Sequence, residues 1–218
     1  MKRIVIFLLL FRIIDAYAQT DIRLGVHVDP VITWFGPKSS KIDKDGSRLG
    51  ISGGLIFESY FRPHYAFVTG LSLSSIGGNL LYEDSVRILT GEGTRISVDA
   101  GSTIAYTLNY ITIPLALKMK SNQIGYFTYF AQLGFMPQFN IGTKARSSID
   151  ELNKINVPKE INFFNLSYFF GGGVEYDIGG ETALVAGIFY NNSFIDFLSN
   201  DSHEAVINFL TLRLGVIF

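Results

Sequence analysis

The stretch TLRLGVIF, Thr211–Phe218, carries the pattern that decides the fold. Large apolar residues occupy every second position, and most of the residues between them are polar or small. A repeat of two places these sets on opposite faces of an extended chain. The stretch therefore predicts a β-strand with one apolar face, whose side chains, read back along the chain, are Phe218, Val216, Leu214, Leu212 and Leu210.

Seven earlier segments alternate in the same way. They span about 22–34, 48–62, 65–74, 108–119, 127–141, 165–177 and 181–191. Three of the predicted connections are short, at 62–64, 120–122 and 179–180. The other four are long and polar, at 35–47, 76–102, 142–160 and 192–202. Strands that run up and down with all long loops at one end are typical of a transmembrane barrel, whereas a soluble β-sandwich has no reason to segregate its loops.

The composition agrees with a membrane protein that lacks membrane-spanning helices. Charged residues make up 17%, against about 25% in an average soluble protein, and mean hydropathy is +0.28. No stretch of the sequence reaches the roughly 20 apolar residues that a spanning helix needs. A closed sheet also pairs every backbone group within lipid. We therefore predict an all-β fold, an eight-stranded antiparallel up-and-down transmembrane β-barrel.

Aromatic residues near the segment ends fit the interfacial girdles of such a barrel. They are Trp34, Tyr65, Tyr110, Tyr126, Tyr129, Tyr168, Tyr176 and Tyr190. Phe218 is expected to face lipid near the periplasmic interface, where the last strand closes against the first. Its aromatic strand also resembles the signal by which bacterial machinery assembles outer-membrane proteins. We therefore expect outer-membrane lipid and that assembly machinery as partners.

Residues 1–18 resemble a cleavable export signal. Lys2 and Arg3 precede an apolar run at 4–11, and AYA at 16–18 has the small-x-small form of a cleavage site. The predicted domains are thus a signal peptide at 1–18 and a barrel at 19–218. The sequence has no cysteine, which excludes disulfides and a lipidated cysteine. We expect export to the outer membrane of a Gram-negative bacterium.

Charged side chains within the predicted strands point to a paired interior. The formal net charge of −1 gives no indication of a nucleic-acid partner. An eight-stranded barrel is just wide enough for its own side chains, and an unpaired buried charge is costly. A network of paired charges is therefore favoured over an ion path. The predicted inward-facing charges are His27, Asp29, Glu58, Arg62, Lys118, Glu175, Asp177, Glu181 and Arg213.

No motif supports a catalytic residue, a cofactor or a metal. Ser202, His203 and Glu204 are triad residue types, but neighbours in an extended chain point to opposite faces. A serine hydrolase would therefore need His27 or His203 beside a distant serine. The stretch DKDG at 43–46 lacks the third acidic position and the closing glutamate of a calcium loop.

The glycine-rich stretch GGGVEYD at 171–177 is not read as a phosphate loop. It lacks the GK[ST] ending and a following helix. Glycines on a barrel strand permit sharp curvature, and neighbouring aromatics are expected to cover the gap. Here Phe169 and Phe170 are the expected covering residues.

The signal peptide, the eight-strand pattern and the stretch YITIPLALK, Tyr110–Lys118, resemble the PorT-like outer-membrane β-barrel proteins of Bacteroidetes. Thr112 stands where that family often has an acidic residue. Pro114 cannot donate to a sheet ladder, so we expect a bulge or an end of regular pairing there. The resemblance implies a non-enzymatic outer-membrane protein that is an accessory of a secretion or envelope complex, with type IX secretion proteins as partners.

Three other functions remain open from the sequence. The chain could be an adhesion or ligand-binding barrel that acts through the loops at 76–102 and 142–160. It could also be a lipid-modifying enzyme. A wide porin is disfavoured because eight strands enclose too narrow a lumen.

Overall fold

The computed structural model describes residues 21–89, 91, 93–147, 155–157, 160–199 and 203–218. The predicted signal peptide at 1–18 and the triad candidate Ser202 lie outside these residues. None of the described residues belongs to a helix long and apolar enough to cross a membrane. The described chain forms twelve strands: β1 (Asp21–Pro37), β2 (Ile42–Arg62), β3 (Tyr65–Tyr82), β4 (Val86–Leu89), β5 (Arg95–Val98), β6 (Ser102–Thr112), β7 (Leu115–Lys120), β8 (Phe127–Ser147), β9 (Ile155–Asn156), β10 (Phe164–Gly179), β11 (Thr182–Ser193) and β12 (Ala205–Ile217).

Eight strand positions close into a ring. The order is β1, β2, β3, then β6 and β7 end to end, β8, β10, β11 and β12, and every neighbouring pair is antiparallel. Strands β6 and β7 count as one position because both pair with β3 on one side and β8 on the other. The predicted eight-stranded antiparallel up-and-down barrel is confirmed.

Pairing between β1 and β12 closes the ring. Their register runs from Gly25 opposite Ile217 to Pro37 opposite Ala205. The Phe218 amide donates to the Leu24 carbonyl at 2.7 Å, and the Leu24 amide donates to the Phe218 carbonyl at 2.9 Å. No sheet edge is therefore left open at this seam, which is what a lipid environment requires.

The predicted alternation of faces is confirmed along the middle of each strand. On β1, Val26 and Val28 are 45% and 58% exposed on the outer face, whereas His27 and Asp29 between them are buried. The outer surface thus carries an apolar band, and the polar side chains fill the interior. Other exposed members of this band include Leu55, Leu71, Leu115, Leu133, Ile188 and Leu212.

Most of the predicted girdle residues lie on the outer face, but one does not. Tyr65, Tyr126, Tyr129 and Tyr176 are exposed, and Trp34, Tyr168 and Tyr190 are half-buried. Tyr110 is fully buried inside the barrel, so its girdle assignment was wrong. Leu108 and Thr112 lie two positions before and after Tyr110, on the same face of β6, and are buried as well. Tyr110 therefore belongs to the inward set of its strand.

The strands extend much further into the predicted loops than alternation indicated. The connection predicted at 35–47 shrinks to 38–41, because β1 runs on to Pro37 and β2 begins at Ile42. The turn predicted at 120–122 occupies 121–126 and is longer than this outer connection. The prediction of a long connection at 35–47 was therefore wrong. Exposed polar residues cover both faces at 43–47, so a strand there shows no period of two.

Pro114 interrupts the ring as expected. Strand β6 ends at Thr112 and β7 begins at Leu115, so Ile113 and Pro114 lie outside regular strand pairing. The Ile113 amide donates to the Pro137 carbonyl at 3.0 Å, which keeps the two segments aligned against β8. The missing proline donor is thus accommodated by a break in the strand.

The glycines at 171–173 lie within β10, where the sheet packs closely. A Cβ on Gly173 would come within 2.1 Å of the Ala186 carbonyl oxygen on β11, so a side chain there would require the strands to move. The ring of Phe189 covers Gly171 from inside the barrel. The ring of Phe169 packs 6.1 Å from that of Phe189. Phe170 points outward and is 54% exposed, and the covering roles of Phe169 and Phe170 stay predictions.

An apolar cap seals the interior at the end that carries the long connections. Phe35 stacks on Phe197 with ring centroids 4.3 Å apart, and the hydroxyls of Tyr82 and Tyr106 lie 2.8 Å apart. The Leu89 amide donates to the Glu160 carboxylate at 2.9 Å, which ties two connections together. We define the cap by its buried residues Phe35, Ile42, Tyr82, Ile88, Val98, Tyr106, Val157, Ile161, Phe197 and Leu198.

Candidate functional site: the charged mouth of the barrel

The opposite end of the barrel, which carries the turns at 63–64, 121–126 and 180–181, holds an open cavity of about 570 Å³. Its polar lining includes Arg23, Tyr60, Arg62, Lys120, Glu175 and Glu181. We call this cavity the mouth. Antiparallel strands bring inward-facing side chains from distant parts of the chain to one level of a barrel, so the lining comes from β1, β2, β7, β8, β10 and β11.

Glu175 is the anionic centre of the mouth's floor. Its carboxylate accepts hydrogen bonds from Lys118 Nζ at 2.5 Å, Lys120 Nζ at 2.6 Å and Arg23 Nη1 at 3.0 Å. The Glu175 side chain is only 3% exposed. A carboxylate this deep is stable as an anion only because several cations surround it.

Lys118 joins a second carboxylate to the same network. Its ammonium group donates to both Glu58 and Glu175 and lies 4.6 Å from the centre of the Phe130 ring. The Tyr60 hydroxyl donates to Glu58 at 2.7 Å. Lys118 therefore bridges strands β2 and β10 across the lumen, and its side chain is only 2% exposed. We call Arg23, Glu58, Lys118, Lys120 and Glu175 the floor network.

The structure pairs most of the charges that were predicted to face inward. His27, Asp29, Glu58, Lys118 and Glu175 are buried. Arg213 contacts the Asp29 carboxylate at 3.4 Å. Each of these charges has an oppositely charged or hydrogen-bonding neighbour, as expected of an interior network.

Three of the predicted inward charges lie at the end of the barrel and not deep inside it. Arg62 and Glu181 are exposed, so their placement in the interior was wrong. Asp177 is half-buried and accepts a hydrogen bond from Gln123 at 3.2 Å. All three stand next to turns, where a strand ends and an inward direction no longer means burial.

Two members of the floor network were absent from the predicted set of inward-facing charges. Arg23 alternates with the outward Ile22 and Leu24, and this alternation was sufficient to place it inside. Lys120 was assigned to a turn, but it is the last residue of β7 and reaches back to Glu175. Its signal was weak because strand ends cannot be located to the residue by pattern.

A Ser-His-Asp arrangement lies deeper in the lumen. His27 Nε2 is 3.0 Å from Ser72 Oγ, and His27 Nδ1 is 2.8 Å from Asp29 Oδ2. The register of β2 with β3 places Ser72 opposite Gly54, while Gly54 also faces His27 on β1. His27 therefore lies next to a serine that is distant in sequence, as a serine hydrolase would require.

This arrangement lacks two parts of a hydrolase site. Ser72, His27 and Asp29 are 5%, 5% and 1% exposed, so a substrate has no path to the hydroxyl. Ser72 also lies within the paired β2–β3–β6 ladder, where neighbouring backbone amides are engaged in the sheet. An oxyanion hole needs free donors aimed at the reacting oxygen. The trio forms a buried polar layer between the floor network and the cap.

The other motif residues are placed in or near the cap. His203 is buried and packs 5.3 Å from the Tyr82 ring, while Glu204 is exposed. In the stretch DKDG, Asp43 and Asp45 are exposed, and Asp45 accepts a hydrogen bond from Thr103 at 2.7 Å.

Burial lowers the pKa of His203 below its ordinary value, and the nearby charge of Lys41 lowers it further. Asp84 and Glu160 act in the opposite direction. The cap thus favours a neutral imidazole at this position.

Residues 12–199 match the family described as Outer membrane protein beta-barrel domain. The chain belongs to this family. Its members are outer-membrane barrels of Gram-negative bacteria, which agrees with the closed ring and the apolar band. No curated protein matches the sequence.

Several solved barrels are similar to the chain in structure. Neisserial surface protein A (NspA) is 15% identical with a TM-score of 0.48, and the match covers 89% of this chain and 95% of that one. Ail, the attachment invasion locus protein of Yersinia pestis, solved in complex with the heparin analogue sucrose octasulfate, is 14% identical with a TM-score of 0.43, covering 92% and 99%. The outer membrane protein OprG from Pseudomonas aeruginosa is 11% identical with a TM-score of 0.43, covering 92% and 97%.

Proposed function

We propose that the chain is a non-enzymatic accessory barrel of an envelope or secretion complex, and that it contacts this complex through the mouth. The observation that carries the proposal is the contrast between its two ends. The interior is filled from the floor network to the apolar cap, whereas the mouth is an open polar cavity of about 570 Å³. The accessible, chemically differentiated surface is therefore a docking site and not a passage.

Transport through the lumen is disfavoured by the way the barrel is filled. Lys118 and Glu58 span the lumen above the mouth, and Phe35 and Tyr106 fill it at the other end. An eight-stranded barrel leaves little space beyond that occupied by its own side chains. A solute would have to break buried ion pairs and then cross an aromatic core.

The proposed orientation places the mouth in the periplasm. Outer-membrane barrels have short turns on the periplasmic side and longer loops outside. The two-residue connections at 63–64 and 180–181 flank the mouth, and the connections at 83–101 and 194–204 build the cap. A partner that reaches the mouth is then a periplasmic protein or a periplasmic segment of a membrane complex.

The resemblance of Tyr110–Lys118 to the PorT-like barrels of Bacteroidetes supports a type IX secretion complex as the partner. The floor network adds to this support, because Lys118 is the last residue of that stretch and lies at the centre of the network. A lipid-modifying activity has less support, because Ser72 and His27 are buried and face no lipid.

Site-specific photo-crosslinking in native membranes tests the proposal. A crosslinking residue at Arg62 or Thr182, both in the mouth lining, is expected to give discrete adducts with a component of the envelope or secretion machinery. Matched positions at the exposed Lys144, beyond the apolar band, and at the lipid-facing Leu133 should give none of these adducts. Identical adduct patterns at all four positions would overturn the proposal.

A second candidate, adhesion or ligand binding through the outer loops, is favoured by the hairpin of β4 and β5. Its Val86, Ile88 and Val98 anchor it to the cap, while Arg87 and Arg95 are exposed. The two exposed arginines of this anchored hairpin can donate hydrogen bonds to an anionic group outside the cell. Deleting 84–99 while the barrel still assembles should abolish cell adhesion under this candidate and leave the mouth crosslinks unchanged.

A further inference from the structure

We propose that the mouth is a receptor for a single carboxylate group carried on a short segment of the partner. This inference rests on the proposed function and specifies the chemistry of the same site. It follows from the charge of the floor network, the position of its accessible donors and the size of the cavity.

The floor network carries more positive than negative charge. Arg23, Lys118 and Lys120 are cations, while Glu58 and Glu175 are the carboxylates that they contact. Three cations against two anions leave one positive charge in excess. Where water is largely excluded, a charge acts with a lower effective dielectric constant and attracts a counter-ion more strongly than it would at the surface.

Two of these cations can be reached from the mouth. The side chains of Lys120 and Arg23 are 13% and 15% exposed, whereas that of Lys118 is 2% exposed. Both line the cavity, and the exposed Arg62 stands at its edge. A carboxylate that enters the mouth can therefore accept hydrogen bonds from Lys120 and Arg62 while Glu175 keeps its bond to Lys118.

Acidic residues at the edge of the mouth restrict the kind of anion that can enter. Asp21 and Glu181 are exposed and Asp177 is half-buried, so solvent screens them better than the floor. Asp177 is also held by the Gly179 amide at 2.8 Å. A polyanion would meet these three carboxylates along its length, whereas one carboxylate between neutral residues passes them and reaches the floor. Nucleic acid is therefore excluded as the occupant.

The volume sets the length of the segment. A cavity of about 570 Å³ falls within the range of roughly 300–1,000 Å³ that holds small ligands in proteins. It can accept a few residues of a peptide but not a folded domain. The occupant is thus a loop or tail of the partner with one Asp, one Glu or a free C-terminus.

Peptide binding to the full-length purified barrel in detergent tests the carboxylate requirement. The probe is a fluorescent, end-blocked pentapeptide with a central Glu between Gly and Ser residues, compared with the same peptide carrying Gln. Fluorescence anisotropy should give a dissociation constant at least tenfold lower for the Glu peptide. Equal affinities would overturn the inference.

Variants locate the binding to the mouth. Lys120→Gln should raise the dissociation constant of the Glu peptide at least tenfold, and Arg62→Gln should raise it about threefold. Lys144→Gln at the opposite end should not change it. Heat-modifiable gel mobility verifies folding, and Arg62→Gln keeps the test informative if Lys120→Gln does not fold, since Arg62 is exposed and outside the floor network. Unchanged binding in a folded Arg62→Gln would contradict the inference.

The crosslinking experiment separates this inference from the proposed function. If Thr182 adducts persist at full yield in Arg62→Gln and Lys120→Gln, the partner docks without a carboxylate, so the inference fails and the proposed function stands. If the Glu peptide binds as expected but no Thr182 adduct forms in membranes, the site is real and the proposed function fails.

Discussion

The floor network and the apolar cap are both buried in the same barrel, yet they close it by opposite chemistry. Lys118 holds Glu58 and Glu175 together across the lumen, whereas Phe35, Tyr106 and Phe197 pack as rings. The floor residues stand on paired strands that the membrane surrounds. Several cap residues stand on connections beyond it. We therefore expect the floor network to unfold only together with the whole barrel, whereas the cap should open locally.

The largest expected effect is at the floor. Lys118→Met leaves Glu58 without its cation in a site with almost no water, which should cost about 3–5 kcal/mol of unfolding free energy. Urea unfolding in detergent, followed by the fluorescence of Trp34, measures this loss. The double variant Lys118→Met/Glu58→Gln removes the stranded charge and should recover part of it. An equal loss in both variants would show that packing, and not charge pairing, dominates the floor.

A smaller and local effect is expected in the cap. Phe197→Ala removes a fully buried ring. It should lower the free energy of local opening of the cap by about 3 kcal/mol and leave the free energy of global unfolding nearly unchanged. Hydrogen exchange should rise at 195–199 and 205–207, while the urea midpoint of the barrel stays near that of the unaltered chain. Phe194→Ala, at a position that is 52% exposed, is the matched control. A fall of the global midpoint as large as that of Lys118→Met would erase the distinction between the two regions.

A smaller, pH-dependent effect on hydrogen exchange in the cap is expected from His203. Because burial lowers the pKa of His203 in the folded chain, the unfolded or opened chain binds the proton more readily. Stability is then fully present above the ordinary pKa of about 6.5 and is lost as pH falls through the lowered folded value. Hydrogen exchange in the cap, corrected for its intrinsic pH dependence, should increase below about pH 6.5.

The control for the pH effect is His203→Phe, which keeps a ring against Tyr82 but cannot titrate. Hydrogen exchange in the cap of this variant, corrected for its intrinsic pH dependence, should be the same above and below about pH 6.5. If the pH response persists in this variant, protonation of His203 is not its cause.

The smallest expected effect concerns the polar layer between the two regions. Ser72 should not react with a fluorophosphonate probe, because it is 5% exposed and lacks an oxyanion hole. Ser72→Ala should cost about 1 kcal/mol for one lost hydrogen bond. Probe labelling that disappears in Ser72→Ala would establish an activated serine and contradict the proposal of a non-enzymatic barrel.

Sequence patterns were sufficient for the part of the fold that touches lipid. An outer face in hydrocarbon must be apolar at every second residue, and Val26, Val28 and Leu115 follow that rule. Beyond the membrane the constraint disappears. There β2 continues through exposed polar residues at 43–47, and β4 and β5 form inside a segment predicted as a loop.

The candidate site was only partly predictable for a different reason. Alternation places Glu58 and Glu175 inside, but it does not say which inward residues meet across the lumen. That depends on strand register, which brings Lys118 opposite Gln132 and Glu175 opposite Thr128. The proximity of His27 and Ser72 also depends on strand register, because β2 pairs with both of their strands, β1 and β3.

The seam between β1 and β12 has a kinetic consequence. The Asp29–Arg213 contact at this seam joins residues 184 positions apart, so it forms only after a large loop has lost its conformational freedom. Until then both strands are bare edges that can pair with any other extended chain. Insertion is therefore expected to finish slowly at this seam, and whatever shields those two edges in the cell decides whether the chain closes on itself or aggregates.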